Sequence, residues 1–364
     1  MHMNEKLYLV FSLLLINKAT GSQYPGTEQR PVLSDAEATL FTKETYLLGW
    51  SPEEIIIPDE PDYVVKPGDS IQKVVNEAVE AASEERVYIR IDPGIYRETV
   101  YVSGKALLTI YAPDYVNLVN PNGSRYREGD PAWEIYHKCS KKSGSLGSCC
   151  AVFWIASDGF QLNKLTVQNT AVDAQGVALK VDGNKIHLMG NNFLSAQDTL
   201  YMGSSADPQL IYVHKCYIEG DTDFICGQGA TVFDMCEIKV VSIRRKDTGV
   251  IFAPNTPAKR SFGFLVVNST LTGDEAFLES NKVHLARAWD TGIKSAEDYS
   301  PGVSPNGQLV IRDTRIDNMI DTKAPYTLAA SSSRPFLSNI NFNRDLNDNL
   351  YNRMWEYNNY GDDA

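Results

Sequence analysis

Short runs in which apolar and polar residues alternate make up most of the chain, as expected of half-buried β-strands. Early examples are Val87–Ile91, Tyr101–Val102 and Leu107–Ile110. Before them, the apolar residues of Ser70–Glu85 fall at helical spacing behind a Pro-Gly-Asp-Ser start, which predicts one amphipathic helix. Residues 22–66 are rich in Pro, Glu and Asp and have no sustained period, so we expect an irregular arm that lies over the domain.

The later strands resemble one another at regular intervals. Their final apolar residues are separated by 28, 25, 20 and 33 positions in Asn163-Lys-Leu165, Asn191-Asn-Phe193, Cys216-Tyr-Ile218, Cys236-Glu-Ile238 and Ser269-Thr-Leu271. Such periods without intervening helices are typical of a solenoid whose coils stack on one another. We therefore predict an all-β fold, a right-handed parallel β-helix with an N-terminal capping helix. A β-sandwich would also give many short strands but would not require equivalent residues once per coil.

The charge balance limits the partners. The chain has 364 residues, 34 Lys and Arg against 46 Asp and Glu, and a formal net charge of -12. This balance argues against general binding to nucleic acid or to an anionic membrane. We expect neither partner, and we expect a monomer with one catalytic domain at 67–364.

The N-terminus has the order of a secretory signal. The charged segment Met1–Lys6 precedes an apolar run, Leu7–Ile16, which is followed by small residues before position 22. A membrane anchor is the alternative, but the run is far shorter than the roughly 20 residues that span a bilayer. Residues 1–21 are therefore expected to be a signal peptide, and the protein to be secreted. Asn122 and Asn268 begin N-x-S/T motifs and are possible glycosylation sites in an extracellular protein.

The six cysteines suit an oxidising compartment. Cys216 and Cys236 occupy the same place in successive segments, so stacking would bring them one inter-strand step apart, about 4.8 Å. This spacing favours a disulfide between adjacent coils, and the alternative is two reduced cysteines in the core. Cys139 could pair with either Cys149 or Cys150, and the sequence does not choose between them.

The same register brings two carboxylates together. Asp198 lies five residues after Phe193, and Asp223 lies five residues after Ile218, so the two should face each other from neighbouring coils. Like charges in a cleft do not both ionise easily, which would leave a base or nucleophile beside an acid. The alternative is a pair of solvated turn residues that share no proton.

Five ordered blocks, spread over about 195 residues, resemble the signature blocks of the pectin methylesterases, and the predicted helix resembles the cap of that family. The blocks are Gly94-Ile-Tyr-Arg-Glu98, Gln175-Gly-Val-Ala-Leu179, Gln197-Asp-Thr-Leu-Tyr201, Gly220-Asp-Thr-Asp-Phe-Ile-Cys-Gly227 and Leu285-Ala-Arg-Ala-Trp289. The resemblance implies a parallel β-helix that hydrolyses the methyl esters of polygalacturonate to methanol and free carboxylates. No metal or organic cofactor is implied.

The resemblance also implies catalytic roles. Asp223 would attack the ester carbonyl, and Asp198 would protonate the departing methanol and then deprotonate the attacking water. Gln175 and Gln197 would hydrogen-bond the developing oxyanion. Arg287 would orient Asp223 and keep it ionised.

Four further residues are candidate contacts to the methyl-esterified pectin chain. Trp289 would offer a flat face to a sugar ring, and Tyr201, Thr222 and Cys226 are the others. Members of the family usually have phenylalanine where this chain has Cys226, a change that would alter the preference for the neighbouring sugar. Cys226 lies half a coil from the predicted disulfide partners, so we expect a free thiol.

Other functions remain open from the residues. A polygalacturonase would need a further catalytic aspartate, and a pectate lyase would need an acidic calcium cluster; neither is found at a convincing spacing. A related hydrolase that acts on another ester or thioester would use the same acyl chemistry. A carbohydrate-binding solenoid without activity would not need the catalytic set.

Overall fold

The computed structural model describes residues 25–81, 84–120, 150–204, 207, 209–341 and 343–364. The predicted signal peptide and the predictions for Asn122, Cys139 and Cys149 lie outside these residues. Within them, the helices are α1 (Asp35–Ala38), α2 (Lys43–Tyr46) and α3 (Ile71–Ala81), with a 3-10 turn at Ala296–Asp298.

The strands are β1 (Tyr63–Val65), β2 (Val87–Ile91), β3 (Ile95–Tyr96), β4 (Val100–Val102), β5 (Leu108–Asn120), β6 (Phe153–Ile155), β7 (Gln161–Asn169), β8 (Leu179–Val181), β9 (Ile186–Met189), β10 (Asn192–Leu194), β11 (Leu200–Met202) and β12 (Leu210–His214). They continue with β13 (Tyr217–Gly220), β14 (Thr222–Gly227), β15 (Ala230–Asp234), β16 (Glu237–Val240), β17 (Gly249–Pro254), β18 (Phe264–Val267), β19 (Thr270–Gly273), β20 (Val283–Ala286), β21 (Gln308–Arg312), β22 (Arg315–Ile316) and β23 (Arg353–Tyr357).

Each strand pairs in parallel with strands of the neighbouring coils, and the coils stack into a three-faced β-helix. One face is a seven-stranded sheet in the order β20-β17-β14-β11-β8-β6-β4. The other two faces run β23-β21-β18-β15-β12-β9 and β22-β19-β16-β13-β10, and the long strand β7 joins them. The coil is right-handed, as connections between parallel strands nearly always are. The predicted fold class is confirmed.

The repeated segments stack, with one shift. The segments from Phe193 to Leu271 lie in register through β10, β13, β16 and β19. The prediction for the first segment was wrong by two residues, since Phe193 pairs with Val167 rather than Leu165. Both Leu165 and Val167 are fully buried in β7, so hydrophobicity alone does not distinguish them.

A ladder of small polar side chains follows one corner of the β-helix. At five steps a side-chain O or S atom accepts a hydrogen bond from a backbone N–H of the preceding coil, at 3.0–3.4 Å. This arrangement satisfies buried amides at the point where the strands turn. The acceptors are Asn191, Cys216, Ser269, Thr314 and Asn359.

Cys216 and Cys236 stack in this ladder, but the predicted disulfide between them is wrong. Both are buried free thiols. Each donates its S–H to a carbonyl of the preceding coil, Cys216 to Leu188 at 3.6 Å and Cys236 to Val213 at 3.5 Å. In-register parallel strands point equivalent side chains in the same direction, about 4.8 Å apart, so the two sulfur atoms do not converge.

Cys150 is also a buried free thiol. The alternative that paired it with Cys139 is therefore wrong. Cys226 is free as well, which confirms the prediction for that residue.

The arm is more regular than expected, because it contains α1, α2 and β1. Ser34 and Thr42 each begin a helix with a capping box, in which the side chain of the first residue and that of the residue three positions later bond reciprocally to backbone N–H groups. Apolar side chains of the arm, among them Phe41 and Tyr46, pack on the outside of the face that contains β23, against residues such as Trp355. The arm thus covers a face that would otherwise expose apolar residues to solvent.

The predicted helix is confirmed as α3, which caps the first coil. Its residues Ile71, Val75 and Ala78 are buried in the main core. Glu98 accepts hydrogen bonds from the first backbone amides of the helix, Ile71 at 2.8 Å and Gln72 at 3.1 Å. The helix dipole also stabilises a negative charge at this end of the helix. In the described part of the chain, no helix is both long and apolar enough to cross a membrane.

Candidate active site

Asp198 and Asp223 lie on the seven-stranded face, at the start of two neighbouring strands. The adjacent residues Gln197 and Thr222 form a parallel bridge, and β11 and β14 continue in the same register. Asp198 therefore lies opposite Asp223, one coil apart, as the spacing predicted. The backbone N–H of Asp198 donates to the carbonyl of Thr222 at 3.3 Å, which ties the two coils together at this point.

Asp223 forms an ion pair with Arg287. The guanidinium donates from Nε to Oδ1 at 2.7 Å and from Nη2 to Oδ2 at 2.5 Å. Arg287 follows β20, two strands beyond β14, so its long side chain reaches across the intervening coil. Burial alone would lower the pKa of Arg287, but its hydrogen bonds with Asp223 and the negative charge of that carboxylate raise it. The pair is a bidentate, charge-assisted contact at a carboxylate that is only 7% exposed.

The surroundings of Asp198 disfavour its ionised form. Burial, and then the neighbouring charge of Asp223, raise the pKa of its carboxyl well above the ordinary value, although Arg244, Arg287 and a side-chain hydrogen bond with Gln197 oppose the shift. Part of the surface of Asp198 remains accessible to solvent. The site therefore places a carboxyl group whose pKa is raised beside one that is ion-paired with Arg287, and this contrast suits acid and nucleophile roles.

Gln197 and Gln175 lie in adjacent coils. The backbone N–H of Gly176 donates to the carbonyl of Gln197 at 3.0 Å, which places Gln175 in the coil before Asp198. The side-chain oxygen of Gln197 accepts a hydrogen bond from Nη1 of Arg244 at 2.9 Å. Because that oxygen is occupied, the NH2 group of Gln197 is left as the donor.

Tyr201 and Trp289 form an aromatic pair beside the carboxylates. Their rings meet edge to face with centroids 5.6 Å apart, and both side chains are partly exposed. Between Tyr201 and the coil of Trp289, the register places the small residues Cys226 and Ala253, so the two rings can approach each other. On the other side of Tyr201, Lys180 lies with its Nζ 5.4 Å from the ring centroid.

The remaining predicted contacts are more enclosed. Thr222 is buried, and its hydroxyl has no hydrogen-bond partner among the described residues. Cys226 is 3% exposed, which leaves little area for contact with a ligand. Burial, together with the charges of Asp198 and Asp223, raises the pKa of its thiol well above the ordinary value. Among the residues that the structure describes, no group of three or more His, Cys, Asp and Glu side chains could hold a metal ion.

Sequence reasoning missed Asp221 and Arg244. Asp221 lies two residues before Asp223, and its position in the same acidic block was the available signal. Arg244 donates to both Asp221 oxygens, from Nε at 3.1 Å and from Nη2 at 2.7 Å. It belongs to the connection 241–248 between β16 and β17, where no pattern distinguishes it from a solvent-exposed arginine.

Comparisons with known proteins agree with this geometry. A family profile described as Pectinesterase matches residues 62–295. The chain is 40% identical to a pectinesterase from Sitophilus oryzae over 99% of its own length and all of that protein. It is 35% identical to the putative acyl-CoA thioester hydrolase YbhC of Escherichia coli, over 93% of the chain and 89% of that protein.

A solved structure of rice weevil pectin methyl esterase superposes with a TM-score of 0.86 at 40% identity, and the match covers 93% of this chain and 99% of that one. The profile covers well over half of the chain, and the likeness to this structure extends over nearly the full length of both proteins. The chain therefore belongs to the pectinesterase family and is a carboxylic ester hydrolase.

Proposed function

We propose that this enzyme hydrolyses the methyl esters of polygalacturonate, with Asp223 as nucleophile and Asp198 as acid and then base. The observation that supports these roles best is the contrast between two facing carboxyl groups. Asp223 is bound through both oxygens to Arg287, whereas the pKa of Asp198 is raised by burial and by the charge of Asp223. One group is thus suited to attack, and the other to donate a proton.

In the first step, an oxygen of Asp223 attacks the ester carbonyl carbon, and the carbonyl oxygen becomes an oxyanion. The tetrahedral intermediate collapses with cleavage of the bond to the methoxy oxygen. The proton of Asp198 goes to that oxygen, so methanol leaves as a neutral molecule. The product is an acyl-Asp223 anhydride beside an ionised Asp198.

The second step reverses the proton's path. Asp198 removes a proton from a water molecule, and the resulting hydroxide attacks the acyl carbon. Cleavage of the anhydride releases the galacturonate carboxyl group and regenerates the Asp223 carboxylate. Asp198 is left protonated, which restores the starting state.

Uncharged donors would stabilise the oxyanion in both steps. The NH2 groups of Gln197 and Gln175 come from the coil of Asp198 and from the preceding coil, respectively. An amide donor stabilises developing negative charge without forming an ion pair with the nucleophile. Removal of one such donor from an oxyanion hole typically costs about 10²- to 10³-fold in kcat.

The relatives and the aromatic pair support a pectin substrate. The similar protein from Sitophilus oryzae is named pectinesterase, and the similar solved structure from the same insect, the rice weevil, is named pectin methyl esterase. The partly exposed rings of Tyr201 and Trp289 lie nearly perpendicular to each other, and a ring face of either would give a sugar ring a flat apolar contact. Since polygalacturonate is extracellular, the predicted signal peptide at residues 1–21 supports action outside the cell.

An acyl thioester is the second candidate substrate, because the similarity to the Escherichia coli protein also extends over most of both chains. The same nucleophile and acid would serve a thiolate leaving group. The two candidate functions, hydrolysis of a methyl ester and of a thioester, differ in the acyl group and in the leaving group that the enzyme accepts.

The test is release of methanol from methylated pectin by the purified enzyme, with reducing ends and acyl-CoA hydrolysis measured in parallel. We expect methanol without new reducing ends and without comparable thioester hydrolysis. The Asp223→Ala variant should lose at least about three orders of magnitude in turnover, as expected for a missing nucleophile. Retention of activity by this variant would reject the role of Asp223, and preference for acyl-CoA would reject the pectin substrate.

A further inference from the structure

We propose that Arg244, anchored by the buried carboxylate of Asp221, is a positioning residue that fixes the amide of Gln197 with its NH2 group toward the reacting ester. This inference rests on the ester hydrolysis proposed above and adds a residue that acts through Gln197. It is carried by a continuous chain of hydrogen bonds from Asp221 through Arg244 to Gln197.

The anchor of Arg244 is rigid. Asp221 is 0% exposed, and its backbone is fixed by its own N–H to the carbonyl of Ala196 at 2.7 Å and by its carbonyl to the N–H of Val250 at 3.0 Å. Its carboxylate accepts from Nε and Nη2 of Arg244 at 3.1 and 2.7 Å, and from the backbone N–H of Arg244 at 3.2 Å. Two side-chain bonds in fork geometry leave the guanidinium little freedom to turn.

The remaining nitrogen of Arg244 sets the orientation of Gln197. Nη1 of Arg244 donates to Oε1 of Gln197 at 2.9 Å. A guanidinium has donors and no acceptor, so only the oxygen of the amide can face it. The NH2 group must then point away from Arg244, and the side chain of Gln197 also hydrogen-bonds the Asp198 carboxyl. Without Arg244, the amide of Gln197 could rotate and present its oxygen to the oxyanion. The two negatively polarised oxygens would then repel each other.

Arg244 also contributes to the charge around Asp198. The charged groups that act on this carboxyl are Asp223, Arg287 and Arg244, and the buried thiols of Cys150 and Cys226 lie close by in their neutral form. Arg244 favours the ionised form of Asp198, and so does the hydrogen bond with Gln197. Loss of Arg244 should therefore raise the pKa of Asp198 further.

The experiment compares Asp221→Asn/Arg244→Gln, Arg244→Lys and Arg245→Gln with the wild type. The double variant avoids leaving a buried, unpaired carboxylate. Lysine keeps the charge but has no fork with which to bridge Asp221 and Gln197. Arg245 is the exposed neighbour of Arg244, so its replacement removes an equal charge from the same connection and is the matched control.

We expect the double variant to lose about 100-fold in kcat on methylated pectin, with KM changed less than about threefold. The alkaline limb of its pH profile of kcat/KM should move upward, a shift that partial unfolding would not cause. Arg244→Lys should lose at least about tenfold in kcat with a smaller shift of this limb, and Arg245→Gln should match the wild type. If the double variant does not fold, Arg244→Lys decides: kcat within about threefold of the wild type would overturn the inference.

Crystal structures provide a readout that needs no substrate. In the Arg244→Lys enzyme, and in the double variant if it folds, we expect the Gln197 side chain to leave the position in which it contacts Asp198. An unchanged Gln197 together with wild-type kcat and pH profile would overturn the positioning role. A wild-type enzyme that releases no methanol would instead reject the proposed function. In that case the variants are compared on acyl-CoA, and the crystallographic result still decides the role of Arg244.

Discussion

Asp198 and Asp223 occupy equivalent positions in consecutive coils, and both have a left-handed backbone, with φ angles of 62° and 50°. Aspartate tolerates this conformation better than most residues, but each such position still costs of order 1–3 kcal/mol. The parallel pairing on both sides of each residue holds the two conformations in place. The β-helix thus repeats one strained turn to bring together two carboxyl groups that would otherwise repel each other.

The raised pKa of Asp198 predicts the alkaline limb of the pH profile. Its protonated form is the active one in the first step, so kcat/KM should fall as the pH rises through the pKa of Asp198. Measurement of methanol release across the pH range with the wild-type enzyme checks this. A profile that stays flat up to the pH at which the protein unfolds would contradict the role of Asp198 as acid.

Asp198→Asn should separate activity from stability. The amide cannot donate the required proton as an acid, so turnover should fall by about 10²- to 10⁴-fold. The folded state, however, no longer contains a carboxyl group whose ionised form is unfavourable. We therefore expect Tm to rise by about 1–3 °C near neutral pH, measured by calorimetry.

The pH dependence of this stabilisation follows from the sign of the shift. Because the folded protein raises the pKa of Asp198 above the unfolded value near 3.9, the favourable contribution of this group is complete below that value and is lost as the pH rises toward the folded pKa. The advantage of the Asn variant should therefore grow with pH. An advantage that is largest in acid would contradict this assignment.

Arg287→Lys should preserve a positive charge beside Asp223 but lose the two-bond geometry. An ammonium group makes a single directed contact where the guanidinium makes two, at 2.7 and 2.5 Å. We expect kcat to fall by about 10- to 100-fold with a smaller change in KM, since the nucleophile would be misaligned. Steady-state kinetics of this variant, with Arg287→Gln as the more severe comparison, provide the test. Equal activity of Lys and Arg at this position would show that charge alone is sufficient.

The free thiols predict that reduction leaves stability unchanged. In a Cys139→Ser/Cys149→Ser background only cysteines of the described residues remain, namely Cys150, Cys216, Cys226 and Cys236. Addition of dithiothreitol should then shift Tm by less than about 1 °C, whereas reduction of a native disulfide typically costs about 2–5 kcal/mol. Thiol titration of the denatured, unreduced protein should find four reactive groups. Two groups would indicate a disulfide after all.

The periodic part of the molecule could be predicted from sequence, because stacking requires equivalent residues once per coil. The register that brought Phe193 opposite Ile218 also brought Asp198 opposite Asp223. Cys216 and Cys236 stacked as predicted, yet spacing alone does not reveal the direction in which side chains point, and these two serve as members of a hydrogen-bonded ladder.

The parts that escaped prediction lie in irregular segments. Arg244 belongs to the connection between two strands, where no periodicity assigns a partner, and its bonds to Asp221 and Gln197 exist only in three dimensions. The two helices of the arm, α1 and α2, escape prediction because each is only four residues long. A hydrophobic period cannot be recognised over so few positions, although the capping residues Ser34 and Thr42 were a usable signal.

His187 links the arm to the β-helix and predicts a loss of stability in acid. Its Nδ1 lies 2.9 Å from the carbonyl oxygen of Glu53 in the arm, and burial, the largest influence, lowers its pKa to about 4. A histidine with a lowered pKa contributes its full stabilisation above the unfolded value near 6.5, and this contribution is lost as the pH falls toward 4. The shift corresponds to a loss of up to about 3 kcal/mol in the free energy of unfolding.

Tm measured between pH 7 and pH 4 should therefore fall more steeply for the wild type than for His187→Phe, which keeps an aromatic ring next to Tyr212 but does not titrate. Parallel curves for the two proteins would show that protonation of His187 does not govern the acid stability of the arm.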